Sequence, residues 1–196
     1  MAARRMSILV LTTLAATAGA GNPPHQCWVD RGCLEEKSAT HDVGRGVMLT
    51  LPDGWTYYSY PQAPIPGMAG LREIRAFKGG VDIAITPFPN LDKREIKDDW
   101  IREMLQRAAA PNLAISKEGA ANVVLISHDD LVGGYTSFTA PHDGEKPFAV
   151  LKNRTYSNVT TFLISYRFVI LSVSVAAEQP GDADYQQALD AIRSVK

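Results

Sequence analysis

Alternating apolar and polar residues are the clearest pattern in the first half of the chain. The pattern holds over residues 71–77 and again over 81–86. A period of two is typical of a strand with one buried face. Residues 78–80, Lys-Gly-Gly, separate the two runs, so we expect a β-hairpin. Pro87 and Pro89 should end its second strand, because proline lacks a backbone donor.

A second strand–turn–strand unit is predicted just before this hairpin. Residues 47–51, Val-Met-Leu-Thr-Leu, predict a strand, Pro-Asp-Gly at 52–54 is typical of a turn, and residues 55–58 predict a second, aromatic strand. The proline-rich stretch 60–67 should be a surface loop. We expect residues 21–45 to be irregular, with at most a short helix around 35–37, and organised structure to begin at Gly46.

A helical pattern follows over residues 91–109. Asn90 is a candidate N-cap, and Pro111 should end the helix. Apolar residues recur at every fourth position and predict an amphipathic helix of about 18 residues. These positions are Ile96, Trp100, Met104 and Ala108, with Ile101 and Leu105 beside them.

Further strands and a last helix are predicted in the second half of the chain. Gly133-Gly134 suggests a β-bulge, and Asp182 is a candidate cap for the last helix. The predicted strands span 123–126, 131–140, 148–156, 160–165 and 168–176. The apolar stripe of the last helix consists of Tyr185, Ala188, Leu189 and Ile192.

The order of these elements predicts the fold class. Short connections between strands favour an antiparallel sheet, and amphipathic helices need a sheet to cover. We therefore expect an α+β fold over residues 46–196, in which a largely antiparallel sheet is flanked by two amphipathic helices as an α/β/α sandwich. The length suits one domain.

The N-terminus has the pattern of a signal peptide over residues 1–20. Two arginines precede an apolar stretch that is too short to span a bilayer, and Ala18-Gly19-Ala20 fits a cleavage site. The alternative is a buried N-terminal helix. We expect an exported protein, periplasmic or secreted, without stable membrane insertion. The net charge of −1 gives no indication of nucleic-acid binding.

The cysteine pair supports the same compartment. Cys27 and Cys33 are the only cysteines, and in an exported chain two close cysteines are expected to form a local disulfide. A metal site would need more ligands at a motif spacing, and a redox site would need C-x-x-C.

The segment around residues 48–55, Met-Leu-Thr-Leu-Pro-Asp-Gly-Trp, resembles the PsbP-like and DcrB-like superfamily. The strand pair at 71–86, the helix at 91–109 and the closing strand and helix at 168–195 occur in the same order, so the resemblance covers about 150 residues. It implies an α/β/α sandwich and a mostly noncatalytic role in protein binding, assembly or chaperoning. The Cys27–Cys33 segment is no part of that pattern.

The candidate catalytic histidines each lie in a predicted loop or turn. His25, His41, His128 and His142 are the four histidines. A Ser-His-Asp set can be drawn from Ser127 or Ser137 with Asp129 or Asp130, but no G-x-S-x-G motif supports it. Solvated turn residues are the favoured interpretation. The acidic turns lack the calcium-loop spacing, so we expect neither a metal nor a cofactor.

Two further patterns concern the surface. Asn153 and Asn158 begin N-x-T sequons, which would carry glycans only in a eukaryotic secretory route and only if exposed. An aromatic group is the best candidate for binding a partner, because tyrosine and tryptophan favour interfaces. It comprises Trp55, Tyr57, Tyr58 and Tyr60, with Ile65 in the proline loop. Alternatively, Trp55 and Tyr57 face the core.

The sequence thus favours a noncatalytic protein that binds another protein, as an assembly or chaperone factor or as an inhibitor or immunity protein. A small secreted hydrolase that uses His128 or His142 is one alternative. A carrier of a small ligand or lipid between sheet and helix is another.

Overall fold

A computed structural model describes residues 34–36, 40–44, 47–61, 70–90, 95–128, 131–150, 154–166 and 169–193. Ten strands and two helices lie within these ranges. They are β1 (Leu34–Glu36), β2 (Thr40–Asp42), β3 (Met48–Thr50), β4 (Thr56–Pro61), β5 (Arg72–Lys78), β6 (Val81–Pro89), α1 (Asp98–Leu113), β7 (Val124–His128), β8 (Leu131–Thr139), β9 (Asn158–Tyr166), β10 (Val169–Ala177) and α2 (Ala183–Arg193).

Eight of the strands form one antiparallel sheet in the order β1-β4-β5-β6-β10-β9-β8-β7. The centre of the sheet is the pairing of β6 with β10, which are far apart in the chain and pair along nine residues from Val169↔Pro89 to Ala177↔Val81. Strands β2 and β3 form a separate two-stranded ribbon. The predicted α+β class with an antiparallel sheet and two helices is confirmed.

The two helices lie on opposite faces of this sheet. In β9, Phe162 and Ile164 belong to the core cluster that includes α2, whereas Leu163 packs with residues of α1. Successive side chains of a strand point to opposite faces, so the two helices cover opposite sides. We call these sides the α1 face and the α2 face.

Two elements pack on the α2 face. Ala188, Leu189 and Ile192 of α2 are buried against the sheet. The β2–β3 ribbon buries Leu49 in the same cluster, over the side of the sheet that carries β4 and β5. Asp182 caps α2 as predicted, since its Oδ1 accepts hydrogen bonds from the backbone N–H groups of Asp184 at 2.8 Å and Tyr185 at 3.4 Å.

Helix α1 begins and ends later than its sequence pattern predicts. It spans Asp98–Leu113, is preceded by extended backbone at Lys97, and contains Pro111 in its last turn. The residues that α1 buries completely are Ile101, Leu105 and Ala109, so its core row lies one position from the predicted row. Pro111 lacks the backbone N–H that would bond to the carbonyl of Arg107, so it costs one hydrogen bond in the last turn.

The prolines of β6 also behave differently from the prediction. Pro87 and Pro89 lie within β6 and pair in register with Leu171 and Val169. The ladder between β5 and β6 ends at Ile85. Beyond that residue β6 has only one neighbour, so a position that lacks a donor is tolerated there.

Gly133 and Gly134 do not form the predicted bulge. The register of β8 with both β7 and β9 continues through them without an extra residue. A Cβ at Gly134 would lie 3.1 Å from Cγ2 of Ile101 and 3.1 Å from Cδ1 of Leu105. The missing side chain at Gly134 therefore allows α1 to approach β8 closely.

Three other predictions about local structure were wrong. Residues 34–36 are a strand at the sheet edge rather than part of a short helix, and residues 40–42 are a strand although irregular structure was expected before Gly46. Residues 148–156 were predicted to be a strand, but the described residues among them, 148–150 and 154–156, contribute one isolated bridge between Phe148 and Tyr156. The signal peptide and both cysteines lie outside the described residues.

Candidate functional site

One half of the α1 face forms an open surface on β4, β5, β6 and β10. Helix α1 packs on β7, β8 and β9, and α2 lies on the opposite face. Within the described ranges, no helix covers the outward side of β4 and β5. We call this region the open face. Its half-exposed side chains are Tyr58, Tyr60, Glu73, Arg75, Phe77, Thr86, Phe88, Ser172 and Ser174.

Aromatic and charged side chains lie next to each other on the open face. Tyr58 and Phe77 contact with ring centroids 5.5 Å apart and planes tilted by 54°. Tyr58 lies opposite Arg75 across the β4–β5 ladder, and Tyr60 lies opposite Glu73. Arg75 donates to Glu73 on the same strand, and both side chains remain 25–30% exposed. The open face thus presents a contacting pair of aromatic rings beside a partly exposed ion pair.

The phenol of Tyr58 stays protonated at neutral pH. Burial raises the pKa of Tyr58, and the carboxylate of Glu35 on the edge strand β1 raises it further. Its hydroxyl can therefore both donate and accept a hydrogen bond to a ligand.

The predicted aromatic group does not form one surface. Trp55 and Tyr57 are 7% and 3% exposed and belong to the core of the α2 face. Including them in a partner-binding patch was therefore wrong, and the alternative in which they face the core is confirmed. The reason is the two-residue period of β4, which points Tyr57 inward and Tyr58 and Tyr60 outward. Ile65 lies outside the described residues.

Tyr57 has a structural role in this core. Its hydroxyl donates to the carbonyl of Pro52, and its ring lies 4.6 Å from the ring of His41. Burial, and then the negative charge of Asp53, raises the pKa of Tyr57 to about 12. His41 was expected in a solvated turn, but it is on β2 and only 3% exposed.

The described residues of the hypothetical Ser-His-Asp set do not lie next to each other. His142 is exposed in the loop after β8. Ser127 donates to Asp98 at 3.1 Å, and Ser137 shares a 2.7 Å hydrogen bond with Thr160. His25, Asp129, Asp130 and the side chain of His128 lie outside the described part.

A buried charge cluster borders the open face, and the sequence pattern did not reveal it. Asp82 is 1% exposed and lies opposite Phe77 across the β5–β6 ladder. Its Oδ2 accepts a hydrogen bond from the Tyr156 hydroxyl at 2.8 Å and is 2.9 Å from a guanidinium nitrogen of Arg154. Only the single charge in β6, that of Asp82, could have indicated it.

Arg154 extends this cluster to the end of β10. Its Nε donates to Oε1 of Glu178 at 3.1 Å, and Lys146 donates to Oε2 of the same carboxylate at 3.1 Å. The hydrogen bond from Arg154 lowers the pKa of Glu178. Burial and the neighbouring Asp82 carboxylate raise the pKa of Tyr156 well above its usual range. The cluster therefore fastens the loop after β8 to the sheet.

Another candidate for a ligand site is a depression at the start of α1. It has a volume of about 330 Å³ and is wide open to solvent. Its lining is mostly charged and exposed, so it lacks the enclosure and apolar walls that a small-molecule site needs. The lining residues are Glu95, Ile96, Lys97, Asp98, Asp99 and Val132.

Three further features bear on the expectations from sequence. Within the described ranges, no group of three His, Cys, Asp or Glu side chains is arranged to hold a metal. Neither helix in the described part has the length and hydropathy needed to cross a bilayer. Asn158 is 6% exposed and its side-chain amide donates to the carbonyl of Gln179 at 3.4 Å, so its sequon is inaccessible in the folded protein. Asn153 lies outside the described residues.

Comparisons with known proteins do not identify a family. No family model matches the chain, and neither the curated proteins nor the solved structures contain a significant match. The resemblance to the PsbP-like and DcrB-like superfamily therefore stays a prediction.

Proposed function

We propose that this protein acts without catalysis, by binding another protein through the open face. The observation that carries the proposal is the pairing of Tyr58 with Phe77, beside the Glu73–Arg75 ion pair, on a part of the sheet that no described helix covers. Aromatic residues and arginine are enriched at the energetic centres of protein interfaces.

The shape of the open face supports a protein ligand over a small molecule. The side chains stand on four adjacent strands, which are spaced about 4.8 Å apart, so the surface is broad. Small-molecule sites are concave and enclose most of their ligand. A broad surface with a few aromatic rings and a polar rim fits the anatomy of a protein interface.

The site of action in this proposal is outside the cytoplasm, in a periplasm or in the extracellular medium. The charged start, apolar stretch and small residues of segment 1–20 support it, as do two close cysteines in a short segment. N-terminal sequencing of protein taken from the native cells tests this part. A mature chain that still begins at Met1 would exclude cleavage after Ala20.

The binding test has two stages. A photo-crosslinking amino acid at Tyr60 captures the partner in the native compartment, and the same amino acid at Met48 is the control. Met48 is 49% exposed on the β2–β3 ribbon, away from the open face. The identified partner is then purified, and its Kd for each variant is measured by calorimetry.

We expect Tyr58→Ala and Phe77→Ala each to weaken binding about tenfold or more, because both rings belong to the aromatic centre of the surface. Met48→Ala should leave Kd unchanged. An unchanged Kd in the Tyr58→Ala/Phe77→Ala double variant, with the fold intact, would contradict the proposal.

A further inference from the structure

The two edges of the eight-stranded sheet differ in how they are protected. Within the described part of the chain, β7 is at one edge and bonds only to β8, whereas β1 is at the other edge and bonds only to β4. An edge strand has backbone N–H and C=O groups that point away from the sheet and can pair with another chain. Among the described residues, these groups of Val124 to Ser127 have no hydrogen-bond partner.

The composition of the edges accounts for the difference. Strand β1 has three residues, two of which are glutamates. Strand β7 has five residues, Val-Leu-Ile-Ser-His, and contains no acid, lysine, arginine or proline. Natural proteins protect edges with short strands, charges, prolines or bulges. Strand β1 has two of these features, but β7 has none of them, and Val124 leaves 39% of its surface exposed.

We propose that the β7 edge is an interface between two copies of this chain. The strands pair antiparallel about a two-fold axis at Ile126, the middle residue of β7. Ile126 then lies opposite its own equivalent, and Val124 lies opposite His128 of the partner subunit. The two eight-stranded sheets become one continuous sheet.

The lack of charge favours a second copy over an unrelated partner. A charged edge repels its own copy and selects a strand of opposite charge, because like charges directly opposite each other destabilise a sheet. Strand β7 has no acidic or basic charge that would produce this repulsion at neutral pH. An isologous contact needs a surface that is complementary to itself, and a neutral strand meets that condition.

The position of α1 leaves room for the second copy. Its buried residues Ile101 and Leu105 approach Gly134, so the helix lies mainly over β8. It reaches the edge strand at its start, where Asp98 accepts a hydrogen bond from Ser127. In the dimer, the two β8 strands are three strand spacings apart, which is about 14 Å. A helix with its side chains is about 10–12 Å across, so the two α1 helices fit side by side.

This interface is independent of the proposed function. Strands β4 and β5 lie at the opposite end of the sheet from β7, so the dimer leaves both open faces free. A variant that is monomeric should keep its affinity for the partner of the open face, whereas Tyr58→Ala should weaken that affinity and leave the dimer intact.

Sedimentation of the full mature chain over a concentration series tests the proposal. We expect wild type to shift from monomer to dimer as concentration rises, and Val124→Lys to stay monomeric, because an edge lysine blocks strand pairing. Leu34→Lys is the matched control, since Leu34 is 54% exposed on the opposite edge. It should dimerise like wild type.

Cysteine cross-linking provides a readout that does not depend on stability. Opposed residues of antiparallel strands have Cα atoms about 4.5–5.5 Å apart, within the range of a disulfide. Ile126→Cys should therefore form a disulfide-linked dimer under mild oxidation, whereas wild type should not. Ser127→Cys should not cross-link, because its equivalent lies about 8 Å away, beyond disulfide reach.

Two results would overturn the proposal. The first is that wild type stays monomeric at every concentration and Ile126→Cys does not cross-link. This result would overturn the proposal even if β7 accepts a strand from a different protein. The second is equal cross-linking at positions 126 and 127, since random collision does not distinguish the two sites.

Discussion

The hydroxyl of Tyr156 donates a 2.8 Å hydrogen bond to Oδ2 of Asp82, although the two residues are 74 positions apart in the chain. Tyr156 is completely buried and Asp82 is 1% exposed. A buried carboxylate is costly unless donors and a counter-ion surround it. This hydrogen bond, together with Arg154, keeps the loop after β8 against the edge of the open face.

Tyr156→Phe should lower the free energy of unfolding by about 1.5–3 kcal/mol, the usual value of a hydrogen bond to a charged group. The ring is retained, so the loss reports on the hydroxyl alone. Urea unfolding measures it. Tyr135→Phe is the control. Among the described residues, the Tyr135 hydroxyl has no hydrogen-bond partner, and the variant keeps the ring that contacts Arg193. Equal effects of the two variants would argue against a role for the Asp82 contact.

Arg154→Met should cost more, about 3–5 kcal/mol, because it leaves Asp82 as a buried charge without its counter-ion. Arg154→Lys should restore only part of the loss, since one ammonium cannot reach both Asp82 and Glu178 as the guanidinium fork does. Chemical denaturation of the variants tests both statements.

The control for the Arg154 variants is Arg107→Met. Arg107 pairs with Glu103 on the surface of α1, where both side chains are more than half exposed. Surface ion pairs contribute little, so this change should stay within about 0.5 kcal/mol of wild type. A loss at Arg107 as large as that at Arg154 would show that burial is not the cause.

Acid should weaken the contribution of Glu178. The hydrogen bond from Arg154 lowers the pKa of this carboxyl below its ordinary value of 4.5. A group with a lowered pKa in the folded state stabilises the protein above its unfolded-state pKa. That contribution disappears as the pH falls through the folded-state pKa.

Wild type should therefore be more stable than Glu178→Gln at pH 7, and this difference should shrink as the pH falls to about 3. Urea midpoints of both proteins across the pH series provide the measurement. A stability difference that is constant across the series would mean that Glu178 stabilises the fold by packing and not by its charge.

Gly134→Ala tests the close approach of α1 to β8. A Cβ at this position would lie 2.9 Å from the carbonyl oxygen of Val124 and 3.1 Å from Ile101. We expect a loss of about 1–3 kcal/mol from overpacking, measured by thermal or urea unfolding. Gly119→Ala is the control, since a Cβ there meets nothing within 4 Å, and it should be neutral or slightly stabilising.

The sequence predicted correctly those features whose cause lies in neighbouring residues of the chain. The alternation over 71–86 predicted the β5–β6 hairpin, and the stripe and cap of the last helix predicted α2. The outward position of Tyr58 and Tyr60 follows from the same two-residue period. By contrast, Pro87 and Pro111 were predicted to end their elements, but Pro87 lies inside β6 and Pro111 lies inside α1.

The sequence by itself determined the class of the fold, because burying one face of each strand and one stripe of each helix leaves an antiparallel sheet with helices on it as the natural solution. Only the tertiary structure decided that β6 pairs with β10, that α1 leaves the open face uncovered, and that Asp82 lies against Arg154. The physical reason is that these contacts join distant parts of the chain. Their energy depends on which surfaces meet, and the local pattern of polarity does not contain that information.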